Sequence, residues 1–131
     1  MHVTAQKDAS AQSMSVPSLP RSVGELRRFA VASSRDQGFT GDGDALALLV
    51  SEVATNALLH GRGEVRLSVL RRAGRLRVEV ADGSDRLPQR REAGLDAQGG
   101  RGLALLEELS DSWGVQALPE RGKVVWFELT A

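Results

Sequence analysis

Ser51-Glu52-Val53-Ala54-Thr55-Asn56-Ala57-Leu58-Leu59-His60 is the run on which the reading of this chain turns. Glu52, Asn56 and His60 stand at i, i+4 and i+8, so a helix carries all three along one edge. Leu46, Leu49, Val50, Val53 and Ala57 fall on a second stripe, one that a helix buries. Asn is a poor residue inside a helix, because its side chain competes for backbone hydrogen bonds. Here it sits among Ala, Leu and Val. An amide oxygen is a hard ligand suited to Mg²⁺. A carboxylate one turn earlier can orient or deprotonate an attacking hydroxyl or water. Taken alone, such a line is more often a solvated helix face than a site.

The surrounding pattern predicts the rest of a domain. The central helix starts near Asp42 or Asp44, and Gly61 sits just past its end. Before it, Ser22 with Glu25 reads as a capping box. Leu26, Phe29 and Ala30 then recur at helical spacing as core, and Gly38 suits the stop. After it the period becomes two. Val65, Leu67 and Val69 form one half-buried strand, and Leu76, Val78 and Val80 another, with a turn at Arg72-Ala73-Gly74. Residues 82–100 are polar and irregular, as a functional lid would be. Residues 101–112 read as a helix with Leu105, Leu106 and Leu109 inward. Two strands close the chain, Gly114–Leu118 and Lys123–Leu129, joined at Glu120-Arg121-Gly122. The expected fold is α/β of the two-layer α+β kind: a mixed, mostly antiparallel sheet covered on one face by about three helices.

The totals set bounds. The 131 residues fit one domain with a hydrophobic core. Residues 1–15 read as a disordered tail, with Ser15–Pro20 as a short extended piece, and residues 16–131 as the domain. Lys+Arg and Asp+Glu are both 17, and that balance argues against broad nucleic-acid binding. The absence of cysteine removes disulfides, thiolate catalysis and Cys-based zinc sites. No apolar run approaches the roughly 18–20 residues that span a bilayer, and Met1–Ser15 lacks an apolar signal core. A cytoplasmic protein without a membrane segment is expected.

Two further features carry chemistry. Asp82-Gly83 ends a buried strand. A carboxylate there can accept from an exocyclic amine such as adenine N6, and Gly lets a ligand approach. The plain alternative is a strand-ending Asp-Gly turn. Gly99-Gly100-Arg101-Gly102-Leu103 opens a helix, where exposed amides and the helix dipole favour an anion; the plain alternative is a hinge. It lacks the Lys-Ser/Thr ending of a Walker loop and the preceding strand of a dinucleotide fold. In this order, with strands and a lid between them, the three features outweigh their separate merits.

The arrangement resembles the GHKL (Bergerat-fold) ATPases, and within them the small anti-sigma factor and serine-protein kinase branch. Glu52-Val-Ala-Thr-Asn56-Ala-Leu-Leu-His60 is similar to the N-box, Asp82-Gly83 to the first Gly box, and Gly100-Arg101-Gly102-Leu103 to the second. Gly122-Lys-Val-Val-Trp-Phe-Glu-Leu129 is similar to the last strand, and the likeness covers roughly residues 20–130. It implies ATP and Mg²⁺ as cofactors. Asn56 would ligate the metal, and Glu52 would act as general base or orient the nucleophile. Asp82, with Gly83 beside it, would read the adenine amine. Gly100, Arg101, Gly102 and Leu103 would hold phosphates, and residues 84–99 would form the ATP lid. The implied partners are a sigma factor and an anti-sigma-factor antagonist, with no direct contact to nucleic acid or membrane and with a homodimer possible. The chain departs from the pattern twice. Asp82-Gly83-Ser84-Asp85 replaces Asp-x-Gly, and Val124 stands where a Thr commonly supports adenine.

The expected function is an ATP-binding regulator that inhibits a partner and phosphorylates its antagonist on Ser or Thr. The alternative, favoured by the two departures, is a nucleotide-binding or degenerate protein-interaction module without transfer. The catalytic domain of a histidine kinase ranks lower, since no dimerising hairpin with a phosphoacceptor His is seen. His60 reads as a helix cap rather than a phosphate contact. Trp113 and Trp126 read as core or partial core, and Arg90-Arg91 as a solvated pair.

Overall fold

The computed structural model describes residues 11–60, 63–83, 104–118 and 122–130. In chain order these hold β1 (Gln12–Pro17), α1 (Ser22–Asp36), α2 (Gly43–His60), β2 (Glu64–Arg72) and β3 (Arg75–Asp82). The helical residues 104–109 (α3), β4 (Ser112–Leu118) and β5 (Gly122–Thr130) follow.

Local chemistry accounts for the element ends. Asp42 caps α2: its Oδ1 accepts from the Asp44 and Ala45 amides at 3.0 and 3.1 Å. Gly38 stops α1 in the left-handed region at φ 87°, where its amide reaches Arg35 O and the Phe39 amide reaches Ser34 O. The β2–β3 turn is Ala73-Gly74, both at positive φ, 55° and 79°. Such a two-residue turn matches the twist of the strands it joins.

Three expectations at element ends are corrected. Ser22 does not cap α1; Arg21 holds the cap position without a side-chain bond. The Ser22 hydroxyl is buried and donates to Pro17 O at 2.6 Å, tying the helix to β1 instead. The strand β1 begins at Gln12, four residues inside the segment read as a tail. And α3 ends at 109 rather than 112, because Ser112 already pairs with Glu128 in β4. Leu109 is 37% exposed, so of the three leucines expected inward only Leu106 is fully buried.

The sheet has the order β1-β2-β3-β5-β4, and every described pairing is antiparallel. Its two faces follow from the register. Val16, Val65, Leu67, Val69, Leu76, Val78, Val80, Phe127 and Leu129 share one face and are buried with Leu26 and Ala30 of α1 and Leu46, Leu49, Val50, Val53 and Ala57 of α2. The opposite face is polar and half-exposed. There the Arg77 guanidinium lies over the Trp126 ring at 4.1 Å and pairs with Glu79 and Glu128 at 2.7 and 3.0 Å. Trp126 is therefore not core. Trp113, on the helix-covered face, is partly buried against the core.

The single core makes each buried strand residue costly to truncate. Leu67→Ala, at a position with no exposed surface, is expected to destabilise by about 2–5 kcal/mol. Urea unfolding should show a lower midpoint at an unchanged slope.

Candidate functional site

The buried stripe of α2 has two margins. One meets α1, where Arg27 Nη1 donates to Ser51 Oγ at 2.9 Å. Glu52 and Asn56 lie on the other margin, half-buried between the buried stripe and the exposed Leu48, Thr55 and Leu59. They are neither core nor a fully solvated face. An amide oxygen with a carboxylate one turn away suits a hard cation that keeps water and phosphate as its other ligands. No group of three or more His, Asp or Glu side chains able to hold a metal unaided occurs among the described residues.

The second part of the site comes from strand alternation. In β3, Leu76, Val78, Val80 and Asp82 all face the helices. Asp82 thus ends the buried face rather than the solvent face, and the residue is only 4% exposed. Its position in the sheet relates it to α2. Ala81 pairs with Arg66 near the start of β2. Only residues 61–63 separate α2 from β2, so the end of α2 stands within about 14 Å of that strand start. Asp82 and the Asn56 half of α2 therefore belong to the same end of the sheet.

Lys123 completes this end, and sequence reasoning missed it. The register pairs Asp82 with Lys123 on one face and Ala81 with Val124 on the other. The residue beside Asp82 is Lys123, and Val124, read from the sequence as standing where a Thr commonly supports adenine, lies on the other face of the sheet. Lys123 Nζ donates to Asp82 Oδ2 at 2.8 Å, with side chains 5% and 1% exposed. A signal was available: Lys123 is in phase with Val125, Phe127 and Leu129, the apolar positions of its strand. A charge in the core phase of a strand calls for a partner.

The backbone is as tightly fitted as the side chains. Gly122 has φ 105°, and a Cβ there would stand 1.9 Å from Asp82 O and 2.9 Å from the Gly83 carbonyl carbon. Only glycine lets β5 start against the Asp82-Gly83 peptide. Gly83 itself is exposed. Gly100, Arg101, Gly102, Leu103, the lid residues 84–99, Gly61, Arg90-Arg91 and the Glu120-Arg121 turn lie outside the described residues, as does the side chain of His60. Among the described residues no helix is long and apolar enough to cross a membrane.

A family model described as a histidine kinase-like ATPase domain matches residues 16–129. Among solved structures, the chain is similar to the histidine kinase domain from the blue-light activated histidine kinase of Erythrobacter litoralis EL346. That likeness has a TM-score of 0.57 at 24% sequence identity and covers 88% of this chain. The chain spans 61% of that structure's length, and at such identity the likeness speaks for the fold. No curated protein matches the chain.

The buried pair yields a test of its own. Lys123→Met removes the ammonium from a carboxylate that stays buried, and is expected to cost about 3–5 kcal/mol. Asp82→Asn combined with Lys123→Met removes both charges and should recover most of that loss. Chemical denaturation of the single and double variants reads the difference.

Proposed function

The chain belongs to the histidine kinase-like ATPase family, and from that premise we propose that it binds Mg²⁺-ATP at the sheet end that Asp82 closes. The single observation that carries the reading is the place of Asp82: a buried carboxylate ending the helix-covered face, at the end of the sheet reached by the Asn56 half of α2. A buried acceptor at a strand end suits the exocyclic amine of adenine, and Gly83 lets the base come close. Asn56 would hold the metal through its amide oxygen. When bound, Mg²⁺ neutralises charge on the phosphates and aligns the transferred group. Glu52, one turn before Asn56, would accept or orient the proton of an attacking hydroxyl. Gly100, Arg101, Gly102 and Leu103 would hold the phosphates.

We further propose that the domain acts as an anti-sigma factor with serine/threonine kinase activity toward an antagonist protein. The support is the resemblance of Glu52–His60, Asp82-Gly83 and Gly100–Leu103 to that branch, together with Glu52 on the same helix margin as Asn56. In-line phosphoryl transfer asks a protein for positioning and charge neutralisation rather than covalent chemistry.

A second reading has its own observation. Asp82 is already engaged by Lys123 at 2.8 Å, which favours a protein-interaction module in which nucleotide binds weakly or not at all.

Titration calorimetry with Mg²⁺-ATP separates these readings. Wild type should bind, while Asn56→Ala and Asp82→Ala should each weaken binding by roughly ten- to a hundred-fold. Unchanged affinity in both variants removes the site. Labelled ATP with the cognate antagonist then tests transfer, which Glu52→Ala should abolish with binding retained. Equal labelling by Glu52→Ala would sink the kinase assignment.

A further inference from the structure

The strand β4 stands at one end of the sheet order, and among the described residues no strand pairs with its outer side. Proteins usually guard such an edge with charges, proline or a bulge. The other end strand, β1, finishes in Pro17, which has no amide to donate. In contrast, β4 reads Ser112-Trp-Gly-Val-Gln-Ala-Leu118, without a charged residue or a proline. Val115, Gln116 and Ala117 are exposed. Val115 lies beside Val125, which packs against the core, so the apolar layer of the sheet runs out to an exposed edge. The Trp113 indole N–H donates to Glu107 at 3.3 Å, which sets α3 against the strand. Leu109 closes α3 and is as exposed as Val115. The open face adds a second observation. A Cβ on Gly114 would stand 2.8 Å from the Trp126 ring nitrogen, so the indole reaches from β5 across β4. Its N–H has no acceptor among the described residues.

We propose that β4 pairs antiparallel with β4 of a second copy of this chain, about a two-fold axis at Val115, joining two five-stranded sheets into one. That axis sets Val115 against its own copy, Trp113 against the second copy's Ala117, and Gly114 against its Gln116. On each face a large side chain meets a small one. A two-fold contact opposes like residues at its centre, so a charged strand would repel its copy there. The strand is neutral throughout and carries no such penalty. The side-chain carbonyl of the second copy's Gln116 comes within reach of the Trp126 indole N–H and supplies the acceptor that it lacks. The pairing uses none of the residues assigned to nucleotide and stands apart from that reading.

The chain has no cysteine, so a single introduced thiol reports the register. Opposed residues of an antiparallel pair stand about 4.5–5.5 Å apart at Cα, within disulfide range. The full chain carrying Val115→Cys should form a covalent dimer under mild oxidation. Ala117→Cys should not, because its copy lies about 13 Å away along the strand. Sedimentation equilibrium of wild type should show a reversible dimer. Val115→Lys should weaken it roughly tenfold or more by setting two ammonium groups across the axis. An unchanged circular dichroism spectrum would show that this variant keeps its fold; if it does not fold, the two cysteine variants decide. Gln116→Ala should weaken the dimer roughly two- to tenfold, the range of one hydrogen bond. A wild type that stays monomeric at its highest soluble concentration overturns the proposal. So does a dimer that Val115→Lys leaves intact, since another surface then holds it. Cross-linking of Ala117→Cys as readily as Val115→Cys overturns the register, and a Gln116→Ala dimer as tight as wild type overturns the indole contact.

Discussion

The antiparallel register of β3 against β5 is what brings the ends of this molecule into order. It sets Val78 beside Phe127 and Leu76 beside Leu129 in the core, Glu79 beside Trp126 on the open face, and Asp82 beside Lys123 at the sheet end. A slip of one residue would turn Phe127 and Leu129 outward, bring Lys123 out of phase with Asp82, and set Val124 next to the carboxylate. Burying a large apolar side chain stabilises by roughly 1.5–3 kcal/mol, so the two core residues alone hold the register firmly. On the other face the Arg77–Trp126–Glu128 contacts hold it as well. The placement of Asp82 beside Lys123 is thus a by-product of core packing. The site needs no local device to align them beyond Gly122, which admits the close approach.

The parts legible in the sequence are those governed by periodicity and turn chemistry. The apolar stripe of α2, the alternation of β2 and β3, and the Ala73-Gly74 turn all carry local signals strong enough to read without a structure. The parts that escaped depend on partners distant in the chain. Gln12–Ser15 has the composition of a tail, and joins β1 because β2 offers it an edge. Ser22 has the look of a cap, yet Pro17 O offers its hydroxyl a better acceptor. Leu109 sits at helical spacing, but the helix ends there and leaves it 37% exposed. At the candidate site, Glu52, Asn56 and Asp82 were singled out by residue type and spacing. Lys123 was not, because its neighbour is set by strand register rather than by distance along the chain.

The outer strand β1 has a consequence of another kind. Its Ser13, Ser15 and Gln12 side chains contribute little burial, but its backbone pairs with β2 from Glu64 to Val69. Just beyond its reach the Gln37 amide takes over, donating to Val69 O at 3.0 Å and accepting from the Arg71 amide at 2.9 Å, as a peptide unit of a further strand would. Strand and side chain together close the margin of a segment whose alternate residues are Val65, Leu67 and Val69. An uncovered margin of that composition is a template for adding strands from other molecules. The likeness to the family begins at residue 16, so a protein trimmed to that point would keep the core and lose most of the cover. Its weakness would then lie in self-association rather than in folding, and Gln12–Ser15 is better understood as cover for that margin.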